Sequence, residues 1–336
     1  LHRCFLKGGR NVLDRALRVL AASGFAWFIA TTASAELASI ETNELRLIYL
    51  DPFQTYLVPH VGRCFINSLT FEQTLLGYTP SQKVTVMLTD FSDYGNAGAT
   101  AVPRNFLALE ISPLSTAFEA VSGNERFNWL MNHELVHIAT TDQATRSDRR
   151  ARAFFGGKVQ ANNDDPESIL YFYLTAPRKS SPSWYMEGIA VFIETWLAGG
   201  QGRAQGPYDE MVFRSMVRDK STIYDPLGLV AQGTKIDFQV EVNSYLYGTR
   251  FVTYLGYRYS PEKVIEWFAR HEGSKAYYAK NFEAVFGLPL DQAWSDWIAF
   301  EKEFQTANLE AIRKYPTTPY KDLSVKALGS VSRAFV

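Results

Sequence analysis

The stretch His133-Glu134-Leu135-Val136-His137 places two histidines four positions apart. On a helix, side chains at positions i and i+4 lie on one face about 6 Å apart, a span that allows two imidazoles to bind one zinc ion. Glu134 projects to the side of this pair, where a carboxylate can accept a proton from a metal-bound water without being a ligand. The stretch therefore predicts a helix with two metal ligands and a general base.

A second stretch supplies a third candidate ligand. The segment Trp184-Tyr185-Met186-Glu187-Gly188-Ile189-Ala190 follows Ser181-Pro182, a pair typical of a helix start. Glu187 on that helix would complete a His2Glu set and leave the fourth position open, as in catalytic zinc sites. We therefore expect one Zn²⁺ per chain, bound by His133, His137 and Glu187.

The helix around His133 is expected to be buried. Phe127, Met131, Leu135 and Ile138 share one stripe at 100° per residue, and other apolar residues line the opposite side. Ser122-Gly123-Asn124-Glu125 has the form of a capping box and predicts the start of this helix. Two core histidines that bond only to neighbouring side chains are the alternative to a metal. A structural metal site is disfavoured because such sites usually have four protein ligands.

Length and composition indicate a globular chain. Its 336 residues are 46% hydrophobic, which is enough to bury a sizeable core in one large domain or two lobes. Five basic residues and one acidic residue lie in 1–35, so 29 basic and 34 acidic residues remain beyond them, a net charge of −5. This balance disfavours a nucleic-acid partner.

Residues 1–35 have the pattern of an export signal. Basic residues precede an apolar run at 19–29, and Ala33-Ser34-Ala35 fits a peptidase cleavage site. A membrane anchor is the alternative, but the run is short for a bilayer span, and no later stretch is long and apolar enough. We expect a periplasmic or secreted protein without a membrane span after signal removal. Cys4 would leave with the signal, so Cys64 is interpreted as a small core residue without a disulfide partner.

The rest of the chain divides into predicted lobes. Residues 36–122 form an N-terminal α/β lobe with strands at 44–50, 83–89 and 105–111, a helix ending near Gly77 and a loop at 93–99. Residues 123–200 hold the two motif helices, separated by an excursion at 141–180 with one short helix at 167–174. Residues 201–315 form a helical lobe. Its helices are predicted at 208–218, 243–259, 261–271, 275–286 and 290–314. The chain begins at Leu1 and stops abruptly at Val336, so we interpret it as a fragment whose tail, 316–336, would lead into a further domain.

The two motifs together resemble the gluzincin zinc metallopeptidases. His133 to His137, with the Trp-x-x-Glu-Gly-Ile-Ala pattern that contains Glu187, is most similar to the aminopeptidase N family and its uncharacterised bacterial relatives. The resemblance spans roughly 45–302. It implies an α+β, thermolysin-like catalytic domain with a small N-terminal β-sheet lobe and a mostly helical C-terminal lobe. It also implies that His133, His137 and Glu187 bind zinc and that Glu134 is the general base.

The resemblance assigns one further catalytic residue. Tyr245-Leu246-Tyr247-Gly248 matches a Tyr-x-x-Gly turn in which the tyrosine hydroxyl steadies the oxyanion, which implies this role for Tyr245. A phenol aimed at developing negative charge lowers the barrier in a dry cleft. Tyr247 is the rival for this role, and packing is the alternative for both side chains.

Several departures from the family bear on the substrate. Here 49 residues separate His137 from Glu187, more than in the family, so 141–180 is expected to be an insertion near the cleft. No Gly-x-Met-Glu-Asn segment is present to bind a free amino terminus, which favours an endopeptidase-like activity. The strand at 105–111 is instead expected to pair with an extended substrate. Thermolysin-like relatives have an aspartate where Val191 stands, and three other residues are candidates for orienting a histidine: Asn132, Asp142 and Glu194.

The sequence thus predicts zinc-dependent hydrolysis of peptide bonds in a peptide or protein substrate. Zinc would lower the pKa of a bound water, and Glu134 would accept its proton. The alternative is a noncatalytic module of the same fold that binds a polymer or a partner protein. The sequence predicts no oligomeric state.

Overall fold

The structure is a computed structural model that describes residues 35–92, 95–113, 125–199, 202–231, 240–319 and 321. The predicted export signal, apart from Ala35, lies outside the described residues. The same holds for 122–124 of the predicted capping box and for nearly all of the tail after 319.

The N-terminal part of the chain contains one mixed five-stranded sheet. Its strands are β1 (Glu36–Glu41), β2 (Leu45–Asp51), β3 (Val84–Thr89), β4 (Ala97–Thr100) and β5 (Phe106–Glu110). Their order across the sheet is β1-β2-β3-β5-β4. The pairs β2–β3 and β3–β5 are parallel, whereas β1 and β4 lie antiparallel at the two edges.

Alternating apolar residues explain the buried face of the sheet. Leu47, Val86 and Leu107 stand in register on adjacent strands and are fully buried. Parallel strands need a crossover connection, and helix α1 (Val58–Leu76) provides it between β2 and β3. Cys64 on α1 is buried in the hydrophobic core, as predicted.

The predicted loop at 93–99 is wrong at its end, because 97–100 form strand β4. Gly98 and the small side chains around it have low β propensity, so the strand is defined by its pairing with β5 and is not visible in the sequence pattern. Strand β1 was also not predicted. The three predicted strands agree with β2, β3 and β5 to within about one residue at each end.

The remainder of the chain is mostly helical. Its helices are α2 (Arg126–Asp142), α3 (Arg146–Phe154), α4 (Ser168–Thr175), α5 (Ser183–Phe192), α6 (Pro207–Arg218), α7 (Pro226–Ala231), α8 (Val240–Arg258), α9 (Pro261–Phe268), α10 (Tyr278–Phe286) and α11 (Leu290–Ile312). The small mixed sheet and this helical part together make an α+β fold. In the described part of the chain, no helix has both the length and the apolar character that crossing a membrane requires.

The excursion 141–180 differs from its prediction because it contains α3 as well as α4. Helix α3 begins with a capping box in which Thr145 and Asp148 each accept the other's backbone N–H. Arg270, from the segment after α9, donates to both carboxylate oxygens of Asp148 at 2.8 and 2.9 Å. These hydrogen bonds therefore attach the excursion 141–180 to the helical lobe.

An aromatic core lies between α5, α8 and α11. The rings of Trp184 and Trp294 are 4.9 Å apart, and those of Phe251 and Trp294 are 4.5 Å apart. Aromatic pairs at such distances contribute about 0.5–1.5 kcal/mol beyond their buried area. The cluster holds α5 and α8 in one relative orientation.

Candidate metal centre and its cleft

Helix α2 positions two of the predicted ligands. Its N-cap is Glu125, whose carboxylate accepts the backbone N–H groups of Phe127 and Asn128. The predicted capping box is wrong at Glu125, which caps the helix instead of lying within its first turn; 122–124 lie outside the described residues. The helix is buried along both sides, as its sequence predicts, with Met131, Leu135 and Val136 fully buried.

Helix α5 brings Glu187 to the two histidines. The Nε2 atoms of His133 and His137 are 3.2 Å apart, and Oε2 of Glu187 is 3.2 Å from the first and 3.4 Å from the second. In a tetrahedral zinc site with bonds of about 2.0–2.1 Å, neighbouring nitrogen or oxygen donors lie about 3.3 Å apart. The three donors therefore fit three corners of such a tetrahedron.

The ligand set is buried on one side and open on the other. The side chain of His133 is 4% exposed, that of His137 13% and that of Glu187 19%. His137 and Glu187 are therefore the members of the set that solvent can reach.

Glu194 orients His133. Its Oε2 accepts from Nδ1 of His133 at 2.6 Å, and both side chains are almost completely buried. This bond fixes the tautomer with Nε2 free to bind a metal. Helix α5 continues as a π-helical turn, Ile193–Leu197, which contains Glu194. Glu194 lies seven residues beyond Glu187, which is about two turns of helix, so both face α2.

The other two candidates for orienting a histidine lie elsewhere. Asp142 accepts from Lys158 at 2.6 Å and from the backbone N–H of Ser81 at 2.8 Å, a buried network that ties α2 to the sheet side. Asn132 donates to the carbonyl of Asn128 in its own helix. Val191, at the position of the thermolysin-like aspartate, is a fully buried core residue.

Arg203 is a residue at this centre that the sequence did not predict. It lies in a 3-10 turn, Arg203–Gln205, within the glycine-rich stretch 199–206. Its guanidinium donates to Oε1 of Glu194 at 3.3 Å and lies 4.7 Å from the centre of the Tyr245 ring. A single arginine among glycines has no sequence signature, so only the fold identifies it.

Tyr245 and Tyr247 occupy different environments. The ring of Tyr245 lies nearly parallel to that of His133, with centres 6.3 Å apart. Tyr247 is buried in the aromatic core, where its hydroxyl accepts from the backbone N–H of Tyr224 at 3.3 Å. Burial, with the nearby Glu187 carboxylate, raises the pKa of Tyr245, so the phenol stays protonated and able to donate.

The pKa values of the two carboxylates nearest the histidines shift in opposite directions. Burial acts to raise the pKa of Glu187, but His137 and His133 outweigh it and hold the pKa well below its ordinary value. Burial likewise opposes charge on His133, yet Glu194 and Glu187 raise its pKa to about 10, so a metal that binds Nε2 would displace a proton from it. Burial raises the pKa of Glu134 despite both histidines. No described residue donates a hydrogen bond to Glu134, so its carboxyl is available for proton transfer.

A cavity of about 200 Å³ lies directly against His137 and Glu187. Its wall includes Thr100 of β4 and, from the end of the excursion, Lys179. The prediction that 141–180 reaches the cleft agrees with this lining. The prediction that the strand at 105–111 faces the substrate is wrong, because β5 is hydrogen-bonded on both sides, to β3 and β4. Strand β4 is the edge that borders the cleft.

Two larger cavities, each of about 510 Å³, lie elsewhere on the surface. One is lined by Pro226, Tyr277 and Asp291, and the other by Arg104 and Arg152. Neither is lined by a member of the two metal-ligand clusters found among the described residues. Of these three cavities in the described part of the chain, the smaller one is the candidate site, because two of the three converging donor residues, His137 and Glu187, line it.

Comparison with known proteins adds little to this geometry. No protein-family model matches the chain, and no curated protein matches it in sequence. A crystal structure of an aminopeptidase N family protein from Idiomarina loihiensis is similar, with a TM-score of 0.35 and 13% identity. The match covers 85% of this chain and 45% of that chain, so this chain spans less than half the length of that protein. A similarity of this size does not assign the chain to a family, and the functional conclusion rests on the site itself.

Proposed function

We propose that this chain is a zinc-dependent metallopeptidase that cleaves peptide bonds within an extended substrate. The observation that supports this most is the convergence of His133 Nε2, His137 Nε2 and Glu187 Oε2 at the edge lengths of a tetrahedral zinc site. An uncommitted carboxyl, Glu134, lies next to these ligands on the same helix. A noncatalytic binding module would not require a general base beside three metal ligands.

When bound, zinc supplies a Lewis acid and lowers the pKa of a bound water toward neutrality. Glu134 accepts the proton of the attacking water at its carboxylate and passes it to the nitrogen of the leaving amine. Burial raises the pKa of Glu134 above its ordinary value, which makes its carboxylate a stronger proton acceptor. Tyr245 donates its hydroxyl proton as a hydrogen bond to the developing oxyanion.

Residues behind the ligands hold this arrangement. Glu194 keeps His133 in the tautomer that presents Nε2, and Arg203 binds the far oxygen of Glu194. The guanidinium of Arg203 also lies over the ring of Tyr245. One arginine therefore contacts both Glu194, which orients a proposed ligand, and Tyr245, the proposed oxyanion donor. Arg203 is a positioning residue in this scheme.

Strand β4 offers a way to bind an extended peptide. It has one hydrogen-bonded neighbour, β5, within the described sheet, so its second edge has backbone groups available for a further strand. Such pairing accepts many sequences, because it uses the backbone of the substrate. Thr100 of β4 lines the cavity beside the ligands, which brings a paired substrate close to them.

The lining of the cavity favours internal cleavage over removal of an amino-terminal residue. Glu187 is the one carboxylate among the residues that line it, and it serves as a proposed ligand. Among the described residues, a free amino terminus would therefore find no acidic partner there besides a proposed ligand, whereas an uncharged backbone needs none. We further propose a periplasmic or secreted location, which is supported by the export-signal pattern of 1–35.

The test is hydrolysis of an unfolded protein by the purified chain, with zinc, with a chelator, and with zinc restored after chelation. We expect internal cleavage, identified by mass spectrometry of the new termini, that is lost on chelation and recovered with zinc. Glu134→Gln should retain zinc and lose at least about 10²-fold in rate. Glu310→Gln, an exposed site on α11, is the matched control and should keep full activity. Absence of hydrolysis by the zinc-loaded chain would favour the noncatalytic module.

A further inference from the structure

A second group of metal-ligating side chains lies where α1 meets the start of α2. His60 and Cys64 stand four positions apart on α1, so they share one face of the helix. Glu125, the N-cap of α2, faces them. Their three donor atoms lie within 4.8 Å of one another, as do those of the His133 centre, and no residue belongs to both groups.

The distances in this group match those of zinc coordination. His60 Nε2 is 3.2 Å from Glu125 Oε2, and the Cys64 sulfur is 3.7 Å from the first and 3.9 Å from the second. In a tetrahedral site with bonds of about 2.0–2.1 Å to nitrogen and oxygen and 2.3 Å to sulfur, these edges are about 3.3 and 3.5 Å. The observed triangle differs from the ideal one by a few tenths of an ångström.

The position of the group suits a bound cation. The Cys64 side chain is buried at its base, whereas those of His60 and Glu125 are 40% and 46% exposed at its rim. A cation held by the three would have its fourth position toward solvent. Sulfur and imidazole donors select zinc and similar transition metals over magnesium or calcium, which prefer oxygen.

Simpler roles explain only part of this group. The carboxylate of Glu125 caps α2 and pairs with His60, and these contacts alone would account for two of the three side chains. Neither the helix cap nor the His60–Glu125 pair requires the sulfur of Cys64, which lies one turn further along α1, to approach the same two donor atoms. Convergence of all three donor types is the feature that indicates a ligand.

We propose that His60, Cys64 and Glu125 form a second zinc site, which links α1 to the first turn of the helix that bears His133 and His137. The site does not depend on the proposed peptidase activity. Its cation would bind the capping residue of α2 and so stabilise the start of that helix. Binding to the folded chain alone raises the free energy of unfolding by mass action.

Cobalt titration of the reduced chain tests this site separately from the first one. Thiolate bound to Co²⁺ gives a near-ultraviolet charge-transfer band, which the sulfur-free set of His133, His137 and Glu187 cannot produce. We expect the band to saturate by two equivalents of Co²⁺ per wild-type chain, and by one in His137→Ala, where the first proposed site is removed; it should disappear when Zn²⁺ displaces the cobalt. It should be absent in Cys64→Ser and persist in two controls, Cys4→Ser and His137→Ala.

Further variants keep the test decisive if Cys64→Ser does not fold. In His60→Ala, where the sulfur is intact, the affinity for Co²⁺ read from the band should fall by at least about tenfold. Equal melting temperatures of the variant and the wild type in chelator would show that the fold is unchanged. The proposal is overturned if the wild type gives no band at saturating Co²⁺, if the band survives Cys64→Ser, or if His60→Ala binds as tightly as the wild type. Failure of the peptidase proposal would leave the band in place.

Discussion

Gly188 of α5 and Gly248 of α8 face each other where the two helices cross. A Cβ atom on Gly188 would lie 2.6 Å from the carbonyl oxygen of Gly248, and one on Gly248 would lie 2.1 Å from that of Trp184. Real Cβ atoms do not approach backbone so closely, so the crossing distance requires glycine on both helices. Glu187 precedes one of these glycines, and Tyr245 lies one turn before the other. The crossing therefore sets the distance between the proposed third ligand and the proposed oxyanion donor.

Gly248→Ala should force α5 and α8 apart. Overpacking of this kind costs about 1–3 kcal/mol of unfolding free energy and would displace both Glu187 and Tyr245. We expect a lower melting temperature, weaker zinc binding and a large loss of activity. Gly62→Ala is the matched control, since an added Cβ on α1 meets nothing within 4 Å. Equal behaviour of the two variants would show that the crossing does not constrain the site.

Tyr245→Phe should separate chemistry from binding. Loss of one oxyanion donor lowers kcat by about 10²–10³, whereas zinc content and KM should change little. Tyr247→Phe is the control, because that hydroxyl bonds only the backbone of Tyr224 in the core. It should keep its activity and lose about 1 kcal/mol of stability. Reversed effects on kcat would transfer the oxyanion role to Tyr247.

Glu194→Gln should weaken zinc binding through His133. The amide keeps the shape of the side chain but removes the charge that holds Nδ1 of His133 and pairs with Arg203. Removing such a partner of a metal-ligating histidine costs about 10–100-fold in metal affinity. Competition with a chromophoric chelator measures this loss, and Asn132→Ala, whose side chain bonds only its own helix, should show none. Unchanged affinity in Glu194→Gln would remove Glu194 from the centre.

Glu72 should make the chain less stable as pH rises. Burial raises the pKa of this carboxyl to about 8, and none of the described residues bonds either oxygen. Between pH 4.5, its ordinary pKa, and 8, the unfolded chain ionises Glu72 while the folded chain keeps it protonated. The unfolded state then binds fewer protons, so the free energy of unfolding falls as pH rises through this window and levels off above it.

Glu72→Gln should remove this dependence. At pH 7 the difference amounts to on the order of 3 kcal/mol, since each pKa unit corresponds to about 1.4 kcal/mol. Denaturant unfolding at several pH values measures it, with Glu310→Gln as an exposed control. An identical pH slope in wild type and Glu72→Gln would mean that the carboxyl is already ionised in the folded chain.

Local sequence patterns were enough to predict three strands of the sheet and the helix that carries the two histidines. Alternation of apolar residues identified β2, β3 and β5, and the spacing of His133 and His137 on one buried helix identified two of the proposed ligands. The structure also brings Glu187 and Tyr245 to these histidines, from helices distant in sequence. Both residues were named from the sequence, Glu187 from the helix-start pattern at Ser181-Pro182 and the family resemblance and Tyr245 from the resemblance alone, because local spacing by itself encodes no contact between separate helices.

The parts that were missed depend on tertiary contacts. Strand β4 contains Gly98 and small residues, so its pairing with β5 leaves no periodic signal. Glu194 was one of three candidates for orienting a histidine, and its contact with His133 depends on a π-helical turn. Arg203 was not predicted, and it reaches both side chains from a short turn in a glycine-rich stretch. The spacing of residues in the sequence does not predict these contacts, because each contact depends on how α5 packs against α2.

Zinc content in a Cys64→Ser background tests the central claim most directly, because that substitution removes the second proposed site and leaves the set of His133, His137 and Glu187. Elemental analysis of this variant, loaded with zinc and then freed of excess metal, should find close to one equivalent per chain. The same analysis should find almost none when His137→Ala is added. A zinc content that His137→Ala leaves unchanged, or the absence of bound zinc in Cys64→Ser itself, would contradict the account.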